Sequence, residues 1–278
     1  MATEEDLRRA GLRIIIDDDA TGSALDYGAT VLSWAPRGGE EVLFLSRDAL
    51  VGVGDEIHGG VPVCSPWFGS GRAEVTVPHG HGLVRWVPWR LTDQGPGHLA
   101  WELTQQEVIH LPGADRYPSD LLHRLEARFG ESLEITLTVT SPTSAVILDQ
   151  ALHTYLRVDD VTQCRIEGLA GAPFRDFATD ATLAVEHEPL RLGAHVDRVY
   201  RHNGPVTLAD GGRRVRISQE GGASVVVWNP GPELRFPGLA PDEWRSMVCI
   251  EVGNVQDRAV TVPAGGSHTL RLRITVDD

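Results

Sequence analysis

The residues of this chain best suited to chemistry are a carboxylate and an imidazole set in apolar surroundings. Glu251 ends the run Met247-Val248-Cys249-Ile250, where a buried charge without a partner is costly, so it needs an ion pair or a role of its own. His153 stands in ALHTYL, apolar and aromatic on both sides. A lone histidine there is more often a hydrogen-bonded core or edge residue than a catalyst. Its ordinary pKa of about 6.5 nevertheless lets it give or take a proton near neutrality.

Two further clusters concentrate functional side chains. IHGGVPVCSPWFG, residues 57–69, reads first as a tight corner plugged by rings. As a cleft wall, its glycines would let backbone approach a ligand and Trp67 would offer a flat face to a sugar ring. VPHGHGLVRW, residues 77–86, carries His79, His81 and Arg85. On a strand His79 and His81 would share a side, and with His58 they could ligate a metal. No carboxylate completes that group at close spacing, and Gly80 and Gly82 indicate a bend, so solvated histidines are the commoner explanation. The Asp159-Asp160 pair reads as a solvated turn.

The elements that must position these residues are strands. LEITLTVT places Leu133, Ile135, Leu137 and Val139 on one face, and TLRLRITV does the same with Leu270, Leu272, Ile274 and Val276. EVLFLS, AEVTVP, SAVILDQAL and ASVVVWN repeat the theme between turns such as RGGEE, DGGRR and EGGA. SDLLHRLEARF fits a helix or a strand, and the alternation of Leu125, Ala127 and Phe129 into a FGES turn predicts a strand. APDEWRSM predicts one or two helical turns, with Asp242 and Glu243 at the N-terminal dipole. The chain is therefore all-β, a sandwich or barrel. Without repeats, low-complexity tracts or a composition break, residues 1–278 read as a single domain.

Composition narrows the partners. With 39 Asp and Glu against 25 basic residues, all of them arginine, the formal charge is −14 and nucleic acid is not an expected partner. One small anionic ligand remains compatible, since a local arginine pocket can oppose the global field. No stretch approaches the roughly 20 apolar residues of a membrane span, and the acidic start does not look like a signal peptide, so a cytoplasmic, membrane-free protein is expected. Cys64, Cys164 and Cys249 fit neither a disulfide framework nor a Cys-x-x-Cys site and read as free buried thiols.

The same clusters carry a resemblance. GATVLSW, EVLFLS, HGGVPVCSPWFG, HGLVR, ALHTYLRVDDV with GLAGAPFRD, HVDRVY, VVVWNPG and EWRSMVCIEVGNV occur in family order from about residue 28 to the C-terminus. This succession resembles the glucose-6-phosphate 1-epimerase (hexose-6-phosphate mutarotase) family, a branch of the galactose-mutarotase-like fold. The resemblance implies a large antiparallel β-sandwich with an open sugar cleft, acting as a monomer on a small sugar or sugar phosphate. It implies His153 and Glu251 as the catalytic pair, and Asp197 and Arg85 as residues that hold the sugar and its phosphate. His81 would shape the same wall.

Three departures stand out. His58 occupies a position where relatives commonly carry a phosphate-facing arginine, the segment from Pro78 to His81 is one residue longer, and Gly231 replaces a common tryptophan. Protonated His58 could supply a second phosphate donor beside Arg85, in which case phosphate-dependent affinity weakens as pH rises through roughly 6 to 7.5. Anomer interconversion needs one base and one acid, so neither a metal nor an organic cofactor is expected. The alternatives are an aldose 1-epimerase acting on unphosphorylated sugar and a non-catalytic carbohydrate-binding sandwich.

Overall fold

The computed structural model describes residues 2–52, 54, 56–71 and 77–277. Two antiparallel sheets dominate it. The larger has nine strands, in spatial order Leu190–Arg191, Arg165–Glu167, Val206–Asp210, Arg213–Glu220, Gly266–Asp277, Leu133–Ser141, Leu122–Phe129, His98–Thr104 and Arg90–Gly95. The other has eight: Ala181–Val185, Pro173–Asp176, Val196–Tyr200, Ser224–Asn229, Met247–Asn254, Gln150–Leu152 and Val63–Cys64, with Tyr155–Arg157 also pairing to Met247–Asn254. A three-stranded sheet near the N-terminus and a two-stranded ribbon complete the architecture.

The alternation read from sequence decides which side chains meet between the sheets. Leu133, Ile135, Leu137 and Val139 from one strand and Leu270, Leu272 and Ile274 from its neighbour pack in one core with Val225, Val227, Val248, Ile250 and Val252 of the opposite sheet. Each such side chain contributes roughly 1.5–3 kcal/mol on burial. The stretch 122–129 is a strand, as its alternation predicts. APDEWRSM forms a short 3-10 helix over Glu243–Ser246, and the Glu243 carboxylate accepts hydrogen bonds from Ala240 N, Arg47 N and Ser46 Oγ.

Some expectations change. EVLFLS is not a regular strand: Leu43 and Leu45 make single bridges to Leu156 and Gly59. The cause lies in Glu41, whose carboxylate accepts the backbone N–H of both Trp34 and Leu43 and takes the place of a ladder partner. Most of AEVTVP, residues 73–76, lies outside the described residues. A helix over Glu4–Arg9 goes unread in the sequence analysis, although Thr3 and Asp6 form a capping box at its start. Among the described residues no helix is long and apolar enough to cross a membrane. The three cysteines are free and buried.

Candidate active site

The strand Met247–Asn254 is buried on both faces. Val248, Ile250 and Val252 point into the core between the sheets, which leaves Cys249 and Glu251 on the opposite face. Across from it, Leu152 pairs with Val252 and Tyr155 with Cys249, so the register runs unbroken past residues 153 and 154. His153 therefore stands opposite Glu251 on an adjacent strand. The backbone holds this geometry, with Ile250 N donating to Thr154 O (3.1 Å) and His153 N donating to Pro62 O (2.9 Å).

The two side chains face each other with His153 Nε2 3.5 Å from Glu251 Oε1, beyond a good hydrogen bond. His153 Nδ1 and Glu251 Oε2 are buried without any partner. Burial pushes the Glu251 carboxyl well above its ordinary pKa, and the nearby Asp197 carboxylate pushes it further. Burial likewise drives His153 well below its ordinary value, with His81 and Arg85 adding to the effect. Burial thus disfavours the charged form of each group, and the pair favours a shared proton on Glu251 over the ion pair.

Aromatic rings hold the histidine in place. Tyr155 stacks on His153 at 4.8 Å between ring centroids and shares a 3.2 Å hydrogen bond between its Oη and His58 Nδ1. The ring of His81 meets His153 edge-on at 5.2 Å. His81 is kept neutral by burial, its pKa lowered to about 4, and its Nδ1 accepts from Gly69 N (3.4 Å). The next residue must be glycine. Gly82 has φ +83°, and a Cβ there would lie 2.0 Å from Ser65 O, which receives the N–H groups of Leu83 and Val84. This tight turn leads into the 3-10 turn Val84–Trp86 that carries Arg85.

His58, His81, His153, Asp197 and Glu251 all line one cleft of about 620 Å³, enough for a hexose or its phosphate. Asp197 projects from Val196–Tyr200, and burial raises its pKa against the opposing influence of His195. Arg85 is not on the cleft surface. It is buried behind Glu56, with Nη1 3.2 Å from Glu56 Oε1. His58 is buried and burial lowers its pKa, which works against the protonated donor expected from sequence.

Trp67 is not a cleft wall. It is 1% exposed, stacks on Tyr117, and donates from Nε1 to His79 O (2.9 Å), which makes it the ring that plugs the corner. His79 packs between Trp67 and Trp86, and among the described residues no three His, Cys, Asp or Glu side chains gather into a metal-sized group. The apolar walls come instead from Phe68, Tyr155, Trp228 and Phe236, the last two with ring centroids 5.4 Å apart. Sequence reasoning missed Tyr155, Trp228, Phe236 and Glu56 as cleft residues. Strand parity could have found two of them, since Tyr155 lies two residues from His153, and Trp228 is the register partner of both Cys249 and Asp197.

Comparison with known proteins places the chain among epimerases and mutarotases. The chain is 35% identical over 234 residues to a protein of Escherichia coli (strain K12) named "Putative glucose-6-phosphate 1-epimerase", covering 81% of this chain and 76% of that one. A plant relative of the same name, from Cenchrus ciliaris, is 27% identical over 267 residues, covering 90% of this chain and 79% of the relative. The crystal structure of a "putative mutarotase (YeaD)" from Salmonella typhimurium superposes with a TM-score of 0.84 at 28% identity, covering 96% of this chain and 90% of that one. The aldose 1-epimerase family matches residues 13–275, and the chain belongs to that family.

Proposed function

We propose that this protein is a hexose-6-phosphate mutarotase that interconverts α and β anomers through acid/base ring opening, with His153 and Glu251 moving the protons. The observation that carries this reading is the cross-strand pair itself: a carboxyl and an imidazole 3.5 Å apart, each with a second polar atom unpartnered, in a cleft of sugar size. Opening a cyclic hemiacetal requires a proton to leave the anomeric hydroxyl and a proton to reach the ring oxygen. Glu251 as carboxylate takes the first, and protonated His153 delivers the second. The C1–ring oxygen bond breaks as the C1 carbonyl forms.

Rotation about C1–C2 then presents the other face of the aldehyde. Closure returns both protons and restores the pair. Burial favours the form with the proton on Glu251 over the ion pair, but the two differ only in where that one proton sits. Sugar hydroxyls can supply hydrogen bonds to His153 Nδ1 and Glu251 Oε2, which have none within the protein, and so support the charged form. Asp197 accepts from sugar hydroxyls, while Trp228, Phe236 and Tyr155 cover the apolar faces of the ring. A purely binding protein would gain nothing from keeping two unpaired, desolvated ionisable groups side by side.

The names of the relatives support a 6-phosphorylated substrate. An aldose 1-epimerase acting on free sugars is the second reading, favoured by His58 and by the carboxylate that already occupies Arg85. The catalytic unit is residues 1–278 as one domain acting as a monomer, a reading supported by one large apolar core that runs from Ile15 to Ile274. Three free thiols suit the reducing cytoplasm. The test is NMR exchange between anomers for a panel of free and 6-phosphorylated hexoses. Accelerated exchange that favours the phosphorylated sugars is expected; equal efficiency on both classes would leave a general aldose mutarotase, and no acceleration would end the enzymatic reading.

A further inference from the structure

The cleft contains a carboxylate that the proton transfers do not use. Glu56 lines it beside His58 and His81, with Oε1 3.2 Å from Arg85 Nη1. The Arg85 side chain is 3% exposed and lies behind the surface, whereas Glu56 is 37% exposed and stands on the solvent side. Neither terminal nitrogen of Arg85 makes an aligned hydrogen bond, to Glu56 or to anything else among the described residues. A guanidinium fork can grip two oxygens in its plane, and here it has one, off line.

The electrostatics give Glu56 a fixed charge. Burial pushes its carboxyl up, but the Arg85 guanidinium leads the opposing influences and the carboxyl is held below the usual glutamate value. A buried guanidinium without an anion would be costly. Glu56 meets that need from within the chain. A phosphate that came to the fork would bring more charge and more oxygens, and would first have to move a like-charged neighbour aside. With over a third of its side chain exposed, Glu56 can turn out into water.

We propose that Glu56 is a specificity-determining residue, a resident anion on Arg85 that an incoming sugar phosphate must displace. The inference rests on the hexose-phosphate reading of the site. Its consequence is that Glu56 blunts the preference for phosphorylated over free sugar, and that removing its charge sharpens that preference. Solvent screening of a partly exposed carboxylate limits the gain to about tenfold.

The experiment measures kcat/KM for anomer exchange of glucose 6-phosphate and of glucose with the wild type, Glu56→Gln and Arg85→Met, together with a phosphorus NMR titration of each protein with inorganic phosphate. Glu56→Gln keeps the shape of the side chain. The phosphorylated-to-free preference should rise about tenfold in this variant, carried by a lower KM for glucose 6-phosphate, and inorganic phosphate should bind tighter by a similar factor. An unchanged or reduced preference in Glu56→Gln, with the preference lost in Arg85→Met, overturns the role of Glu56 and leaves the phosphate reading intact. A preference that neither substitution moves overturns the roles of both Glu56 and Arg85, whereas equal efficiency on the two sugars in the wild type overturns the phosphate reading itself.

Discussion

The two large sheets obey the same alternation and use their outer faces in opposite ways. On the nine-stranded sheet the outward residues form a polar hollow of about 540 Å³ lined by Arg124, Glu126, Glu134, Thr138, Arg271 and Arg273 among others. Most of its charges are matched in pairs: Arg124 with Glu126 at 2.9 Å, Arg273 with Glu134 at 3.5 Å, and Arg271 with Glu220. On the eight-stranded sheet the outward face is covered by loops and rings, and the ionisable groups that meet there sit near opposite partners without fully satisfied hydrogen bonds. Glu251 Oε2, His153 Nδ1 and both terminal nitrogens of Arg85 are buried without hydrogen bonds. Matched charges in water contribute little to stability, whereas incompletely satisfied ionisable groups gathered out of water in one cleft point to function.

The contrast breaks most visibly at the catalytic pair. Replacing Glu251 by Gln or His153 by Ala should slow anomer exchange by roughly 10² to 10⁴, the usual worth of a positioned proton transfer. Folding should survive, which circular dichroism would check. Retention of wild-type exchange by either variant would remove that residue from the chemistry.

Stability should move the other way. The Glu251 carboxyl is held well above its ordinary pKa of 4.5 in the folded protein, so the unfolded chain releases its proton first as pH rises. Wild type should therefore lose stability relative to Glu251→Gln at up to about 1.4 kcal/mol per pH unit, starting near pH 4.5 and ending at the folded-state value. At pH 4 the two should melt alike, and at pH 7 Glu251→Gln should be the more stable. A wild type that gained on the variant over this range would contradict the buried, unmatched carboxyl.

The cleft wall gives a smaller effect. Trp228→Ala removes one of two touching rings and should raise KM about tenfold with little change in kcat, as expected for lost stacking on a sugar face. A drop in kcat with KM unchanged would instead make Trp228 a positioning group. On the other sheet, Arg273→Ala should cost no more than about 1 kcal/mol and leave exchange unaltered. Chelation with EDTA should have no effect on the rate, because one carboxyl and one imidazole suffice for the proton transfers; activity restored by a specific divalent ion would overturn this.

Much of this was legible in the sequence. Strict alternation identified the long strands, because one of their faces is buried and the other wet. The run Met247–Glu251 was informative for the opposite reason, since a carboxylate closing an apolar stretch had to be either paired or functional. The register that brings His153 to Glu251 was not legible: it depends on two three-residue strands, Gln150–Leu152 and Tyr155–Arg157, pairing in step with one long strand. The position of Arg85 was equally hidden, because Gly82 and the Ser65 carbonyl turn it behind the wall and Glu56 reaches it through space. Trp67 and Trp228 show the limit of residue type as a guide. Both are tryptophans in aromatic motifs, and the parity of the strand Ser224–Asn229 turns Trp228 into the cleft, which Trp67 does not line.

The central claim is that His153 and Glu251 act as one proton-passing unit across a single register pair. A double-mutant cycle read by NMR exchange between the anomers of glucose 6-phosphate tests it most directly, with wild type, His153→Ala, Glu251→Gln and the double variant measured side by side. If the pair is one unit, each single substitution removes nearly all of the acceleration and the double variant is no slower than the slower single. Losses that multiply in the double variant would show two independent contributions and contradict the account.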